Sequence, residues 1–405
     1  MGNDSLSKKK KFLFSVMTTC IAGALLYVIL ELGLARYFSA EESANWIRFD
    51  ALRGWALTPG EYRAKPLYRF TQFNIHINDL GLRSHAPRTG TTYTSRLLVL
   101  GDSFTFAKET RTENLFTQRL QNLLDAGHRG VEVLNGGVPA YGTAQELLFM
   151  KELNDDHHLN PKAYLLVFFT NDILDNLCLS YGNLIEQPVR PCFALSPEGS
   201  LVLKAKPRRD ENWEDDTLVP RRQERLGFRT LALARSLGED WLQTRPRAVR
   251  LLERLGVSTQ VWRVPGLLNA WYRDDIVRTG GPLTAALVTE MSAEARRHGG
   301  QLVAAMVPSP LQVYPATYLP MLRRSFEGNP LVERFAEDPL RPQTLVRGMC
   351  EAAGIPFEDL LPLFREKNDT TLFIPRDGHL TDDGHELAAK GLLAFLGRHV
   401  LKEEK

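Results

Sequence analysis

Short apolar runs alternate with helical segments from residue 96 onward, and this pattern constrains the fold most. Such alternation predicts a parallel sheet with helices on both faces, because each parallel crossover usually contains a helix that covers the sheet. The predicted strands span 96–100, 131–134, 163–169 and 301–307, and the predicted helices span 113–126, 144–153, 282–298, 340–353 and 384–399. The chain of 405 residues is long enough for one large or two ordinary domains.

The first of these strands runs directly into a serine. Arg96–Leu100 is followed at once by Gly101-Asp102-Ser103-Phe104. A turn after a buried parallel strand places its residues at the edge where open α/β sheets bind ligands. Ser103 is therefore a candidate nucleophile, which needs a base and a group that orients the base.

Asp377 and His379 are candidates for those two partners. A single residue separates them, so in an extended segment both side chains point to the same side. Taken alone, the pair is also typical of a solvated loop or half of a metal site. Asp382 or Asp383 is expected to cap the helix that follows, and His385 is expected to be solvated in its first turn.

Two further loops could stabilise negative charge beside the serine. Asn135–Thr143 follows the second strand and contains glycines, which allow backbone N–H groups to approach a substrate closely. Asn171 follows strand 163–169, and its side-chain amide can donate to a developing oxyanion. Taken singly, the loop is an ordinary strand-to-helix connection and Asn171 a turn cap, a role for which Asp172 is equally suited.

These four segments together resemble the four sequence blocks of the SGNH/GDSL hydrolase family. The resemblance covers about 96–175 and 300–400. It implies a three-layer α/β/α flavodoxin-like fold with a parallel sheet. It also implies a Ser-His-Asp esterase mechanism that requires no metal or organic cofactor.

The resemblance implies a role for each residue by its position. Ser103 would be the nucleophile, His379 the base and Asp377 the carboxylate that orients it. The oxyanion hole would combine the Ser103 N–H, the Asn171 side chain and an N–H of the second block. Ala140 stands there where a glycine is common and Gly142 follows two residues later, so either backbone N–H could complete the hole. The short Asp–His spacing is similar to that of periplasmic members such as alginate-type O-acetyltransferases.

The N-terminus carries a basic, then apolar segment. Lys8–Lys11 precede the nineteen uncharged residues Phe12–Leu30. At about 1.5 Å per residue, this stretch just spans a hydrocarbon core of roughly 30 Å. It predicts a cytoplasmic tail and transmembrane signal anchor in 1–39, with the rest of the chain on the periplasmic or extracellular side of the inner membrane. A cleaved signal peptide, with a weak site at Ser39-Ala40, is the alternative.

Two regions fall outside the strand–helix pattern. Residues 40–95 are interpreted as a linker and an extended preface, and 178–281 as an inserted cap that divides the hydrolase domain into 96–177 and 282–401. Within the insertion, Leu231–Leu255 is predicted to be an amphipathic helix. The insertion could shape the substrate site, pack on the membrane or a partner, or form a small helical subdomain. It holds four of the six tryptophans, Trp213, Trp241, Trp262 and Trp271.

Cysteine usage and charge restrict the chemistry further. Cys178 and Cys192 flank a loop rich in Gly, Pro and Asn, and a disulfide between them is plausible in an oxidising compartment. No CxxC or Cys/His pattern indicates zinc. The 50 basic and 48 acidic residues nearly balance, which argues against a nucleic-acid partner.

The resemblance and the N-terminal segment lead us to expect a membrane-anchored SGNH-type serine esterase. Its substrate would be an O-acyl ester, in the first place an O-acetyl ester, on a cell-envelope glycan or a small molecule. One alternative is an O-acyltransferase that modifies an envelope polysaccharide with the same site. The other is an inactive envelope-assembly or glycan-binding module. The oligomeric state is not predicted.

Overall fold

The computed structural model describes residues 8–39, 46–64, 73–84, 93–179, 189–208, 264–367, 371–374 and 377–401. The strands are β1 (Ile47–Asp50), β2 (Gly54–Leu57), β3 (Gly60–Ala64), β4 (Phe73–Ile77), β5 (Ser95–Gly101), β6 (Val131–Gly137), β7 (Ala163–Phe168), β8 (Cys192–Leu195), β9 (Leu201–Ala205), β10 (Gln301–Met306) and β11 (Phe357–Asp359). The helix predicted at Leu231–Leu255 and the tryptophans Trp213, Trp241 and Trp262 lie outside the described residues.

The described residues also form α-helices, which alternate with many of these strands along the chain. They are α1 (Lys8–Ser39), α2 (Ser103–Phe106), α3 (Phe116–Ala126), α4 (Thr143–Asp155), α5 (Asp172–Asn176), α6 (Val264–Tyr272), α7 (Asp274–Arg297), α8 (Pro310–Val313), α9 (Pro315–Ser325), α10 (Pro330–Glu337), α11 (Arg341–Ala352), α12 (Leu361–Lys367) and α13 (Asp382–His399). A 3-10 turn at Thr112–Asn114 precedes α3.

The central sheet has five parallel strands in the order β11-β10-β7-β5-β6. Counted along the chain, the first strand of this sheet lies between the second and the third, which is the flavodoxin-like order. The four predicted strands are all present as β5, β6, β7 and β10, and the predicted fold class is confirmed. The short edge strand β11 was not predicted from the sequence.

Side chains alternate between the two faces of this sheet. Leu97 and Val99 of β5 pack in a core with α3, α12 and α13. Leu98 and Leu100 point to the opposite face and pack in a core with α4, α7 and α11. Because every second residue of a strand points to the same side, one continuous apolar run fills both cores. This arrangement gives the three layers that the resemblance implied.

Two helix starts differ from their predictions. Helix α7 begins at Asp274 rather than 282, so the domain boundary expected between 281 and 282 falls inside a helix. The predicted start coincides with Pro282, and a proline inside a helix costs about 3 kcal/mol. The acidic first turn and the close contact of Gly280 with Ile173 of α5 favour the longer helix. Helix α13 is capped by Thr381, whose hydroxyl accepts from the Gly384 N–H, and not by Asp382 or Asp383.

The described part of region 40–95 forms two antiparallel hairpins, β1–β2 and β3–β4. The second hairpin reaches the edge of the central sheet through Arg83, whose N–H donates to the Asn135 carbonyl of β6 at 3.0 Å. Trp55 of the first hairpin is fully buried, and its indole N–H donates to the Pro139 carbonyl at 3.1 Å. The first hairpin therefore packs against the loop after β6, and the segment that follows the second hairpin pairs with β6 at the edge of the sheet.

A disulfide joins Cys178 and Cys192, the pair for which the sequence made such a bond plausible. It connects the end of α5 to the start of the antiparallel hairpin β8–β9. The described part of the predicted insertion contains this hairpin and α6, whose Trp271 is buried.

Among the described residues, one helix is long and apolar enough to cross a membrane. Its apolar segment, Lys10–Gly33, has a mean hydropathy of 2.2 over its most apolar stretch, and none of that stretch is buried. An anchor and a signal sequence both have these features. The helix therefore agrees with the predicted span and does not by itself distinguish the two.

Candidate active site

Ser103 lies at the carboxyl end of β5, at the first position of α2. The neighbouring strands β5 and β7 lead into connections on opposite sides, and α/β sheets bind their ligands at such a switch point. Asp102 precedes the helix, and its carboxylate accepts the Phe104 N–H at 2.8 Å. Ser103 is thus held on a short capped turn at the expected edge of the sheet.

His379 meets this serine from the other end of the chain. Its Nε2 lies 2.8 Å from the Ser103 Oγ. The imidazole is buried, and its ring lies 4.8 Å from that of Phe104. The loop carrying it is closed by two backbone bonds, from the Ile374 N–H to the His379 carbonyl and from the Gly378 N–H to the Ile374 carbonyl. The predicted serine–histidine pair is therefore formed.

Two carboxylates face the opposite nitrogen of this imidazole. Asp377 makes a short hydrogen bond to Nδ1 and also accepts the His379 backbone N–H at 3.1 Å. Glu109 lies behind it, with Oε1 3.8 Å from Nδ1, and its other oxygen is buried without a hydrogen-bond partner among the described residues. The sequence reasoning missed Glu109, and only its closeness to Ser103 in sequence could have indicated it.

Arg83 fixes the loop that carries Glu109. Its guanidinium is fully buried and donates to the carbonyls of Phe106, Ala107 and Thr110. Burial lowers the pKa of Arg83 to about 9, against the opposing attraction of Glu109 and Glu113. These bonds pack the segment after β4 against the end of α2 and the loop that follows it.

Two groups among the described residues bring enough ligand atoms together to hold a metal ion. One consists of Glu109, Asp377 and His379, and the other of Asp155, Glu294 and His298. In each, the ligand atoms lie within 4.8 Å of one another. A metal in the first group would compete with Asp377 for Nδ1 of His379.

The second sequence block offers Ala140 rather than Gly142 as a free donor. The Gly142 N–H points to Oε1 of Gln145 at 3.4 Å, and a Cβ at Gly142 would lie 2.7 Å from that of Asp175. This glycine is therefore needed for the close contact with α5. Ala140 adopts a left-handed backbone with φ of 61°, and its N–H has no hydrogen-bond partner among the described residues.

Asn171 follows β7, as predicted. Its Nδ2 donates to Oδ2 of Asp175 at 2.6 Å, which leaves the second amide hydrogen for a ligand. Asp172 caps the turn, since its Oδ2 accepts the Phe169 N–H at 2.9 Å. The Ser103 N–H, like that of Ala140, has no partner within the described ranges.

A cluster of buried carboxylates lies beneath these loops, contributed by Asp102, Glu146, Asp172 and Asp175. Burial raises the pKa of Glu146 well above its usual range, and Asp102 and Asp175 add to this effect. Burial also raises the pKa of Asp172 well above its usual range, and Glu146 and Asp102 add to this effect. Burial also raises the pKa of Asp175 to about 6, although Arg190 opposes it. Burial and the neighbouring carboxylates therefore both favour the neutral form of Glu146 and Asp172.

His385 was expected to be solvated, and this expectation is wrong. The imidazole is fully buried, and its Nδ1 accepts the Phe116 N–H at 3.3 Å. It also stacks on the Phe116 ring at 5.9 Å. The first turn of α13 faces the start of α3, so His385 is a core residue that satisfies a helix N-terminus.

No protein-family model matches the sequence, and no curated protein matches it significantly. Solved structures do match. TesA is 11% identical, with a TM-score of 0.37 over 75% of this chain and 98% of that chain. A putative lipolytic protein of the G-D-S-L family from Desulfitobacterium hafniense is 11% identical, with a TM-score of 0.33 over 75% and 100%. An acetylxylan esterase from Geobacillus stearothermophilus is 14% identical, with a TM-score of 0.36 over 76% and 95%. The fold assignment rests on the strand order described above.

Proposed function

We propose that this chain is a membrane-tethered serine esterase of the SGNH/GDSL type. The observation that carries the proposal is the 2.8 Å contact between Ser103 Oγ and His379 Nε2, with Asp377 bonded to the other imidazole nitrogen. A nucleophile, its base and a group that orients the base are the three parts of a catalytic triad. They lie at the sheet edge where this fold binds ligands.

In the proposed mechanism, Ser103 Oγ attacks the acyl carbon of the ester and its proton passes to His379 Nε2. The resulting imidazolium donates its Nδ1–H to Asp377. The oxyanion accepts hydrogen bonds from the N–H groups of Ser103 and Ala140 and from the Asn171 amide. When the bond to the alcohol oxygen breaks, His379 returns the proton to the leaving alcohol. Water, deprotonated by the same imidazole, then releases the acid and restores Ser103.

The substrate class we propose is an O-acyl ester in the cell envelope, with an O-acetyl ester as the first candidate. The apolar helix Lys10–Gly33 follows a lysine cluster, which favours a cytoplasmic N-terminus and a periplasmic or extracellular site. The Cys178–Cys192 disulfide supports the same side, because disulfides persist in oxidising compartments. A C-terminal alkaline phosphatase fusion tests this topology, since phosphatase activity is expected only outside the cytoplasm.

The nucleophile is tested with the full chain in detergent micelles, a fluorophosphonate probe and p-nitrophenyl acetate. Wild type is expected to be labelled and to turn over, and Ser103→Ala to do neither. Ser309→Ala is the matched control, because Ser309 also follows a parallel strand of the sheet and serves as a helix N-cap. Equal labelling of Ser103→Ala and wild type would contradict the assignment.

The products separate the alternatives that the sequence left open. Release of free acid at a rate equal to that of the alcohol supports the esterase. Turnover that accelerates with glycan acceptors and acylates them supports the O-acyltransferase. A wild-type protein that is folded but neither labelled nor active supports the inactive envelope-assembly or glycan-binding module.

A further inference from the structure

We infer that Arg190 is a positioning residue that holds the Ala140 turn and the Asn171 side chain in register, and that the Cys178–Cys192 disulfide keeps Arg190 in place. The inference rests on the proposed function, because Ala140 and Asn171 are its proposed oxyanion donors. Arg190 belongs to the segment that lies outside the family resemblance. Nothing in the sequence connected it with the site.

The first contact of Arg190 is with the Ala140 turn. Its Nη1 donates to the Ala140 carbonyl at 2.7 Å and to Oε1 of Gln145 at 2.8 Å. Ala140 has a positive φ, a conformation that costs an alanine free energy and persists only where neighbouring contacts fix it. The Ala140 carbonyl and N–H lie in the two peptide planes that meet at the Ala140 Cα. A contact that fixes the carbonyl therefore helps to hold the φ and ψ of Ala140, on which the direction of its N–H depends.

The second contact is with the Asn171 side chain, through Asp175. Nη2 of Arg190 lies 3.0 Å from Oδ1 of Asp175, and Oδ2 of the same carboxylate accepts from Asn171 Nδ2 at 2.6 Å. Arg190 therefore bridges two loops that follow different strands of the sheet. A planar guanidinium can serve both directions at once, which a lysine ammonium does less well.

Tightly packed neighbours hold the Arg190 side chain in this position. The side chain is only 5% exposed, and the guanidinium lies over the Trp55 ring at 5.0 Å. The preceding backbone packs tightly, since a Cβ at Gly54 would lie 2.0 Å from the Val189 carbonyl oxygen. Two residues further on, Cys192 is bonded to Cys178 beside α5, the helix that carries Asp175. The disulfide thus ties Arg190 covalently to the element that it bridges.

The test compares Arg190→Gln with Arg53→Gln in the full chain. Arg53 is a matched control, because it is 3% exposed, ion-paired with Asp50 and Glu152, and stacked over Phe149. Both variants are expected to lower Tm. Arg190→Gln is expected to lower kcat for p-nitrophenyl acetate by about 10- to 100-fold with KM nearly unchanged, because the donors no longer meet the oxyanion. Arg53→Gln is expected to change kcat by no more than about twofold.

The conservative variant and the disulfide supply independent readouts. Arg190→Lys keeps the charge and is expected to restore part of kcat. Reduction of the Cys178–Cys192 disulfide is expected to lower kcat several-fold in wild type and in the Cys20→Ser control. The Cys178→Ser/Cys192→Ser variant is expected to have a low kcat already, and the reductant is expected to leave it unchanged.

The outcomes distinguish this inference from the proposed function. A wild type without labelling or turnover overturns the function itself. An active wild type in which Arg190→Gln and Arg53→Gln have the same kcat overturns the role of Arg190. If Arg190→Gln does not fold, the disulfide variants decide. Full kcat in the reduced protein and in Cys178→Ser/Cys192→Ser would overturn the inference that the disulfide keeps Arg190 in place.

Discussion

The two halves of the candidate site are built in different ways. On the base side, the His379 side chain contacts both Ser103 and Asp377 directly. On the donor side, Ala140 and Asn171 do not touch each other in any described contact, and Arg190 and Asp175 connect them. The base side is formed by two segments of chain. The donor side is formed by two loops that are joined through a buried ion pair, in which Arg190 comes from a third segment and Asp175 from α5.

This difference determines how each half responds to change. Loss of a base-side residue removes a reacting group and leaves the surrounding packing in place. Loss of Arg190 or Asp175 on the donor side leaves the charge of the other residue buried without its partner, which lowers stability and also releases the two loops. Activity and stability are therefore expected to separate on the base side and to change together on the donor side.

The largest effect is expected from the two histidines of the C-terminal segment. His379→Ala is expected to lower kcat by on the order of 10³-fold or more with little change in Tm. His385→Ala is expected to leave kcat of the folded protein nearly unchanged and to lower the free energy of unfolding by about 1–3 kcal/mol, because the Phe116 N–H loses its acceptor. Kinetics and denaturant unfolding of both variants measure this separation, and a reversed pattern would contradict the assignment of the base.

The next effect concerns the two carboxylates at Nδ1. Replacing the aspartate of a triad by asparagine lowers kcat by about 10⁴-fold. Asp377→Asn is expected to cost less here, about 10²- to 10³-fold, because Glu109 still faces Nδ1 at 3.8 Å. Adding Glu109→Gln is expected to lower kcat about tenfold further. The exposed Glu113→Gln is the control in the same loop, and a purely additive double-mutant cycle would show that Glu109 does not substitute for Asp377.

A smaller effect compares the two residues that the sequence offered for the donor side. Gly142→Ala is expected to lower the free energy of unfolding by about 1–3 kcal/mol and to reduce kcat, because the added methyl group displaces Asp175. Ala140→Gly is expected to keep kcat within a few-fold, since glycine accepts the positive φ and retains the N–H. Normal stability and activity of Gly142→Ala would contradict the packing of this turn on α5.

The smallest effect is a pH dependence of stability beneath the donor side. Burial raises the pKa of Glu146 in the folded protein, so the folded state binds this proton more tightly than the unfolded chain. The free energy of unfolding is therefore expected to fall as pH rises above the ordinary carboxyl range. Glu146→Gln removes this contribution, so the free energy of unfolding of that variant is expected to fall less steeply as pH rises above the ordinary carboxyl range. The exposed Glu327→Gln is the control, and an unchanged pH dependence in Glu146→Gln would show that Glu146 is ionised in the folded protein.

The sequence predicted more of the base side than of the donor side. Ser103 was indicated by the end of an apolar strand, and Asp377 and His379 by their spacing, because each of these two signals is contained within a few residues of chain. His385 was placed wrongly, because the same local signal does not show which helix packs against the first turn of α13. Thr381 was missed as the cap for a related reason, since three neighbouring residues were all suitable N-caps.

By itself, the sequence determined the parallel sheet, the serine at its edge and the apolar N-terminal helix, and it offered Cys178 and Cys192 as a possible disulfide pair. Each of these follows from periodicity or composition within a short stretch of chain. Only the tertiary structure decided that, among the described residues, the N–H of Gly142 and not that of Ala140 has a hydrogen-bond acceptor, and that Glu109 and Arg190 lie beside the site. The positions of Glu109 and Arg190 depend on contacts between segments tens to hundreds of residues apart, and the burial that makes their charges important exists only after the chain has folded.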